Sequence, residues 1–153
     1  MAKSYTTISA PAVTALNSLA DAAYWVGGGT TGIDNSTQLA YEIEMFVTIL
    51  TTTTAGSDGS VDVYIAGSVD GGTDFAGGIT TESDATYTPA GDDVSEWTFV
   101  GSFTYTSETT ARTLNKRFLI DDVPKNFKVV IFNDTGTALG ATTCAVELNA
   151  IKY

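Results

Sequence analysis

The chain of 153 residues contains no histidine and a single cysteine, and these two shortages exclude several classes of protein. Nucleophilic catalysis of the Ser/His/Asp or Cys/His kind needs a base with a pKa near neutrality, which histidine normally supplies. Zinc sites are built mainly from histidine and cysteine, so a zinc centre is not expected. Cys144 cannot form a disulfide within the chain, and the apolar residues Val146 and Leu148 near it predict a buried, unreactive thiol. We therefore expect a protein that is not an enzyme and binds no cofactor.

Positive charge is also scarce. Seven Lys and Arg residues stand against 18 Asp and Glu residues, which gives a formal net charge of −11. The densest basic group is Arg112, Lys116 and Arg117, and Asp121 and Asp122 follow it closely. Nucleic-acid binding requires a Lys/Arg surface that displaces counterions from phosphates. We therefore expect neither a nucleic acid nor an anionic membrane surface as the partner.

Long hydrophobic runs are absent as well. No stretch of the sequence approaches the ~18 apolar residues of a membrane span. The N-terminus carries only Lys3 as a basic residue and has no continuous apolar segment, so a secretory signal peptide is not expected. These features predict a protein that is made and folded in a cytoplasm.

What the sequence does contain is alternation with a period of two, and it is clearest in residues 38–51. Side chains alternate across a strand, so such a pattern predicts one buried and one solvated face. The polar parity holds Glu42, Glu44 and Thr48, with Phe46 as an exception. The predicted buried parity consists of Leu39, Tyr41, Ile43, Met45, Val47 and Ile49.

Five further segments have strand character and are separated by Gly, Asp, Thr and Ser turns, among them an Asp58–Gly59 hairpin signal. They cover residues 60–69, 95–106, 111–120, 126–133 and 142–152. Residues 13–26 are either weakly helical or an extended segment whose Tyr24–Trp25 pair caps the core. Segment 126–133 is apolar on both parities and is expected to be central. The sequence thus predicts an all-β, single-domain antiparallel two-sheet sandwich, jelly-roll-like, of seven to eight strands (13–153), with an N-terminal arm (1–12).

Partner contacts are expected in the N-terminal arm and in a long loop, residues 73–94, that is rich in Gly, Thr, Asp and Ser. Loops longer than ~12–15 residues are usually functional or mobile, and chain termini are free to reach a partner. The expected contact residues are Tyr5, Ile8, Phe75, Ile79 and Tyr87.

Acidic residues offer two weaker hypotheses. Four aspartates beside glycines could supply oxygen ligands for calcium, although their spacing matches no EF-hand and Asp–Gly turns explain them more simply. Glu42 and Glu44 share one face of a strand and could act as the carboxylate pair of a glycosidase, although two acids on a wet face usually only solvate it. The candidate calcium ligands are Asp70, Asp74, Asp92 and Asp93.

Aromatic residues suggest a third hypothesis, a platform for sugars. Trp25 and Trp97 are the first candidates, and five tyrosines could support them. The strand parity of most of these residues instead favours packing in the core. The supporting residues are Tyr24, Tyr41, Tyr64, Tyr87 and Tyr105.

Three stretches resemble capsid decoration (cement) proteins and related virion β-sandwich proteins of tailed bacteriophages. They are LNSLADAAYW (16–25), IDNSTQLAYEIEMFVTI (33–49) and SVDVYIAGSVDGGTDF (60–75). In such proteins an alanine-rich lead-in precedes a turn and a long strand, and a strand ending in a GSVDGG-type turn follows. The resemblance covers the first half of the chain, whereas the second half is similar only in its strand pattern. Segments 51–57 and 76–94 match no motif of the family.

The resemblance implies a jelly-roll-like sandwich on the outer surface of a capsid. Its expected partner is the major capsid protein, its expected oligomer is a homotrimer, and it would be made in the host cytoplasm before joining the virion. The alternative is a tail, baseplate or fibre-associated module that reads host glycans, which would share the same fold.

Overall fold

A computed structural model describes residues 3–52, 59–105 and 110–152, without the side chain of Tyr105. Within these ranges the chain forms two antiparallel sheets packed against each other as a β-sandwich. In the part of the chain that the structure describes, two short 3-10 turns, Ala76–Gly78 and Asp93–Glu96, add helical structure. The strands are β1 (Ser4–Ile8), β2 (Ala23–Gly27), β3 (Ile33–Asp34), β4 (Glu42–Leu50), β5 (Gly59–Gly67), β6 (Ala85–Tyr87), β7 (Thr98–Tyr105), β8 (Thr113–Asp121), β9 (Asn126–Asp134) and β10 (Ala145–Lys152).

The two sheets have four and six strands. The first has the order β1-β10-β4-β8, and the second has the order β6-β2-β9-β5-β7, with β3 pairing to β9 beyond the end of β2. None of the pairings in the described ranges joins strands that are adjacent in sequence. The chain therefore moves between sheets at most of its turns. The all-β two-sheet prediction is confirmed, although the described ranges hold ten strands where seven to eight were predicted. The jelly-roll connectivity stays a prediction.

The core lies between the two sheets, where the strands of both contribute alternate residues. In β4 the inward positions Ile43, Met45, Val47 and Ile49 are all fully buried, as the period of two predicts. Strand β9 is buried along most of its length and has neighbours on both sides, so its prediction as a central strand is confirmed. Cys144 is a buried free thiol, also as predicted, and burial raises its pKa.

The start of β4 differs from the prediction. Leu39 and Tyr41 were expected on the buried face, but the strand begins only at Glu42 and both side chains are exposed. Leu39 has a φ of 46°, in the left-handed region, which interrupts the extended chain ahead of β4. The alternation of apolar and polar residues therefore begins before the first residue of β4.

The predicted hairpin between β4 and β5 is wrong. Strand β4 pairs with β10 and β8, while β5 lies in the other sheet between β9 and β7. Asp58 itself lies outside the described residues. Strand β5 also ends earlier than predicted, at Gly67, so Val69 lies beyond the strand and is exposed. The gain from burying the apolar face of β5 between β9 and β7 therefore outweighed the turn preference of Asp58–Gly59.

A β-bulge in β7 splits a row of aromatic residues that the sequence places on one face. Val63 pairs with Gly101 and Tyr64 pairs with Phe99, so β7 has one extra residue, Val100, at this point. Phe103 therefore points into the core, whereas Phe99 points to the opposite side of the sheet and is 57% exposed.

The N-terminal arm contains a strand, whereas residues 13–26 combine turns with the start of a strand. Strand β1 pairs antiparallel with β10 and buries Ile8, so the arm forms the edge of the four-stranded sheet. Neither alternative for residues 13–26 holds along the whole segment: its first part forms turns that bury Leu16 and Leu19, and only the part in β2, which buries Trp25, is extended. Because β1 is part of the sheet, we expect deletion of the arm to lower the stability of the free protein.

Candidate functional site

The predicted contact residues do not form one exposed surface. Tyr5 is exposed, whereas Ile8, Phe75 and Ile79 are buried. Tyr87 is partly buried, and its hydroxyl donates a 2.7 Å hydrogen bond to a backbone carbonyl of the long loop. The loop 73–94 packs its apolar side chains against the six-stranded sheet, so its anchors support the fold of the loop.

Two of the four aspartates considered for calcium, Asp70 and Asp93, use their carboxylates in local turns. The carboxylate of Asp70 accepts hydrogen bonds from the backbone amides of Asp74 (2.9 Å) and Thr73 (3.0 Å), which lower its pKa. Asp93 accepts a bond from the backbone amide three residues before it. In the ranges that the structure describes, no three His, Cys, Asp or Glu side chains form a group that could hold a metal ion.

The two glutamates considered for catalysis lie on the outer face of the four-stranded sheet and form ion pairs. Arg117 Nη1 donates to Glu44 Oε1 at 2.8 Å, and Lys3 Nζ lies 3.8 Å from Glu42 Oε2. Glu44 is opposite Leu119 in the β4–β8 register, and Arg117, two residues from Leu119, lies diagonally across from Glu44 on the same face. This arrangement is typical of cross-strand charge pairing on a solvated sheet.

Three exposed apolar residues at one end of the sandwich form what we call the apolar tip: Leu39, Tyr41 and Val69. They are the most exposed large hydrophobic side chains among the described residues, at 73%, 79% and 83%. The two loops that carry them are attached to the start of β9, because the amide of Asn35 bonds Lys125 O at 2.8 Å and the amide of Ser68 bonds Asn126 O at 2.8 Å. Both loops therefore lie at the same end of the molecule.

Hydrogen bonds hold Leu39 in its exposed position. The side chain of Asn35 donates to Ala40 O and accepts from Ala40 N, both at 3.0 Å, and Asn35 itself is buried. The amide of Leu39 bonds Asn35 O at 2.7 Å. A left-handed leucine costs about 1–2 kcal/mol. The turn therefore keeps a strained apolar residue in solvent, and such strain is typical of contact sites.

A cavity of about 300 Å³ lies beside this tip and extends it. The turn between β8 and β9 forms its other wall, in which Asp122 also has a left-handed φ of 53°. The cavity is thus apolar on one side and charged on the other. It is lined by Asn35, Leu39, Ala40, Tyr41, Asp122, Val123 and Lys125.

A second surface, which we call the aromatic face, consists of Tyr24, Tyr64, Phe99 and Phe132 on the outside of the six-stranded sheet. The rings of Tyr24 and Phe132 stack with centroids 4.3 Å apart and an interplanar angle of 23°. The rings of Tyr64 and Phe99 meet edge to face at 5.4 Å. Trp97 packs edge-on against both tyrosines, at 5.5 Å and 5.9 Å, and separates the face from the long loop.

Lys128 fixes the long loop at the far side of Trp97. Its Nζ donates to Gly29 O at 2.9 Å and to Glu82 O, and lies 4.9 Å from the centroid of the Phe75 ring. The side chain is fully buried, and this burial lowers the pKa of its ammonium group. Lys128 thus links the loop to the sheet and contributes no charge to the surface.

The sugar-platform hypothesis holds for some of its residues and fails for others. Trp25 and Trp97 are buried and do not form a platform, whereas Tyr24 and Tyr64 lie on the aromatic face. Phe132 was not considered from the sequence, and only the apolar character of both parities in segment 126–133 hinted at an outward ring. Tyr41 belongs to the apolar tip, and the side chain of Tyr105 lies outside the described residues.

The apolar tip was missed because its residues continue a buried parity. The Asp34–Asn35–Ser36 turn cluster was the available signal, since short polar side chains before a strand often hold a left-handed residue. Comparison with models of protein families and with curated proteins finds no match to this chain. Among the described residues, no helix is long and apolar enough to cross a membrane.

Proposed function

We propose that this chain is a non-enzymatic virion structural protein, a decoration (cement) protein that binds the outer surface of a tailed-bacteriophage capsid. The observation that carries the proposal is the apolar tip, where Leu39, Tyr41 and Val69 are held in solvent at one end of a β-sandwich. Apolar residues kept exposed at a cost in backbone strain favour a protein contact. The resemblance of residues 16–25, 33–49 and 60–75 to decoration proteins supports the same function.

The proposed partner is the major capsid protein. A decoration protein stabilises a shell by mass action, because it binds assembled subunits better than loose ones. The resemblance also implies a homotrimer, and three linked tips would bind more tightly than one because the later contacts are effectively intramolecular. The net charge of −11 suits a position on the outside of a particle that encloses nucleic acid.

The first experiment is to measure the copy number of this chain in purified particles relative to the major shell protein, by quantitative mass spectrometry. A ratio near equality, or a simple symmetric fraction of it, would support the decoration function. A ratio of a few per cent or less would instead favour the alternative, a tail, baseplate or fibre module. Absence from the particles would contradict both.

A second experiment tests the contact surface with purified shells that lack this protein. Tyr41→Ala removes an exposed ring from the tip, and Phe46→Ala removes an exposed ring from the sheet as a matched control. We expect Tyr41→Ala to weaken shell binding about tenfold, as the loss of an aromatic contact does in other interfaces, and Phe46→Ala to leave it unchanged. Equal binding by both variants would exclude the tip as the contact.

A further inference from the structure

The aromatic face has polar groups among its rings. Asp62 in β5 lies directly opposite Phe132 on one side and Ser102 on the other, and it precedes Tyr64 by two residues on the same side of the strand. Burial raises the pKa of the Tyr24 and Tyr64 hydroxyls, and the nearby Asp62 carboxylate raises both further. A partly exposed carboxylate is therefore surrounded by three aromatic rings.

The border of the face is also polar and carries charge of both signs, since Lys116 Nζ donates to the backbone carbonyl of Ser102 at 2.7 Å, on the edge strand β7. Ser60, two residues before Asp62 on the same side of β5, lies opposite Asp134 and Thr104. Lys128, the cation of the same sheet side within the described residues, is fully buried beneath the loop. Because the Asp62 carboxylate lies among the rings and Asp134 lies at the border, the ligand should offer hydrogen-bond donors and apolar faces rather than a negative charge.

We propose that the aromatic face binds a neutral saccharide chain. The C–H face of a sugar ring is apolar and stacks on aromatic rings, while its hydroxyl groups donate hydrogen bonds to carboxylates and serines. Phe99 and the stacked Tyr24–Phe132 pair supply the stacking surfaces, and Asp62 accepts from the hydroxyls between them.

The position of Asp62 distinguishes this ligand from a protein partner. The central part of a protein–protein interface is depleted in charged residues, since a buried carboxylate there needs a partner of its own. Small-ligand sites instead combine aromatic walls with a few polar groups placed among them. The aromatic face has the second composition, whereas the apolar tip lacks an acid among its three residues.

The experiment is a binding measurement on the whole chain with an array of neutral and sialylated oligosaccharides, followed by titration of the neutral ones that bind. We expect binding of at least one neutral class, a change in tryptophan fluorescence because Trp97 contacts both tyrosines, and weaker binding of sialylated forms. Phe99→Ala and Asp62→Asn should each lower the affinity about tenfold, and Phe46→Ala, the same change on the other sheet, should not.

Three results would overturn the proposal. They are no binding of any neutral oligosaccharide, unchanged affinity in Phe99→Ala, and binding of an arginine-rich peptide to the aromatic face in place of the sugar. The proposal does not rest on the decoration function. Tyr41→Ala should retain sugar binding and Phe99→Ala should retain shell binding, so that failure of one proposal is distinguishable from failure of the other.

Discussion

Replacement of Asp84 by Asn should destabilise the protein in a pH-dependent way. Asp84 lies in the long loop with a left-handed φ of 49°. Its Oδ1 accepts hydrogen bonds from Trp25 Nε1 (2.9 Å) and Ala15 N (2.8 Å), and its Oδ2 accepts from Thr14 N (2.8 Å). One carboxylate therefore connects the loop, the N-terminal turn and the largest side chain of the core.

The magnitude follows from the three donors. Asn tolerates the left-handed region as Asp does, so the backbone is unchanged. Its amide nitrogen, however, must face at least one of the N–H groups, which loses a charge-assisted bond worth about 1.5–3 kcal/mol. Because the carboxylate is only partly buried, we expect a loss near the lower end, about 2 kcal/mol in the free energy of unfolding. For a chain of this size that corresponds to a fall of about 4–8 °C in Tm.

The sign of the pH dependence follows from the pKa of Asp84. Partial burial would raise this pKa, but the hydrogen bonds from Trp25, Ala15 and Thr14 outweigh it and the pKa is lowered. The stabilisation is therefore complete above the unfolded-state pKa of about 4 and is lost as the pH falls through the lower folded-state value. The difference between the wild type and Asp84→Asn should be largest at neutral pH and shrink in acid.

Urea unfolding followed by tryptophan fluorescence, at neutral pH and at several acidic values, measures this difference. Asp92→Asn is the control, because the Asp92 side chain lies in an exposed turn of the same loop. Two results would refute the reasoning: equal midpoints for Asp84→Asn and the wild type at neutral pH, or a gap that stays constant as the carboxylate becomes protonated.

Three other substitutions or measurements check separate parts of the fold. Gly27→Ala should lower the free energy of unfolding by about 3 kcal/mol, because the new Cβ would overlap the buried ring of Trp25; an unchanged urea midpoint would contradict that packing. Asn35→Ala should lower the free energy of unfolding by about 2 kcal/mol, since it removes two hydrogen bonds between a buried side chain and Ala40. It should also weaken binding to the shell, because the same turn holds Leu39 in the apolar tip. A variant with unchanged stability and full shell binding would contradict this role of the turn. Cys144 should react with a thiol reagent only at the rate of unfolding, because it is buried and its pKa is raised; rapid labelling of the native protein would contradict this.

The candidate surfaces were only partly predictable from the sequence. Tyr24 and Tyr64 were recognised as aromatic candidates, but parity assigned most of these rings to the core. Phe99 could not be placed, since it shares a parity with Phe103 and the bulge at Val100 alone sends the two rings to opposite sides. Leu39 was assigned to the buried face because a period of two does not report where a strand begins.

The sequence by itself determined the all-β class, the buried parity within each strand and the buried state of Cys144. These properties depend on alternation along a few neighbouring residues, which any local segment displays. Only the tertiary structure decided which strands pair, because every described pairing joins strands that are separated in sequence. It also decided which apolar side chains remain in solvent, since exposure depends on what the rest of the chain covers. Burial between two sheets is a property of the whole chain, and no single segment encodes it.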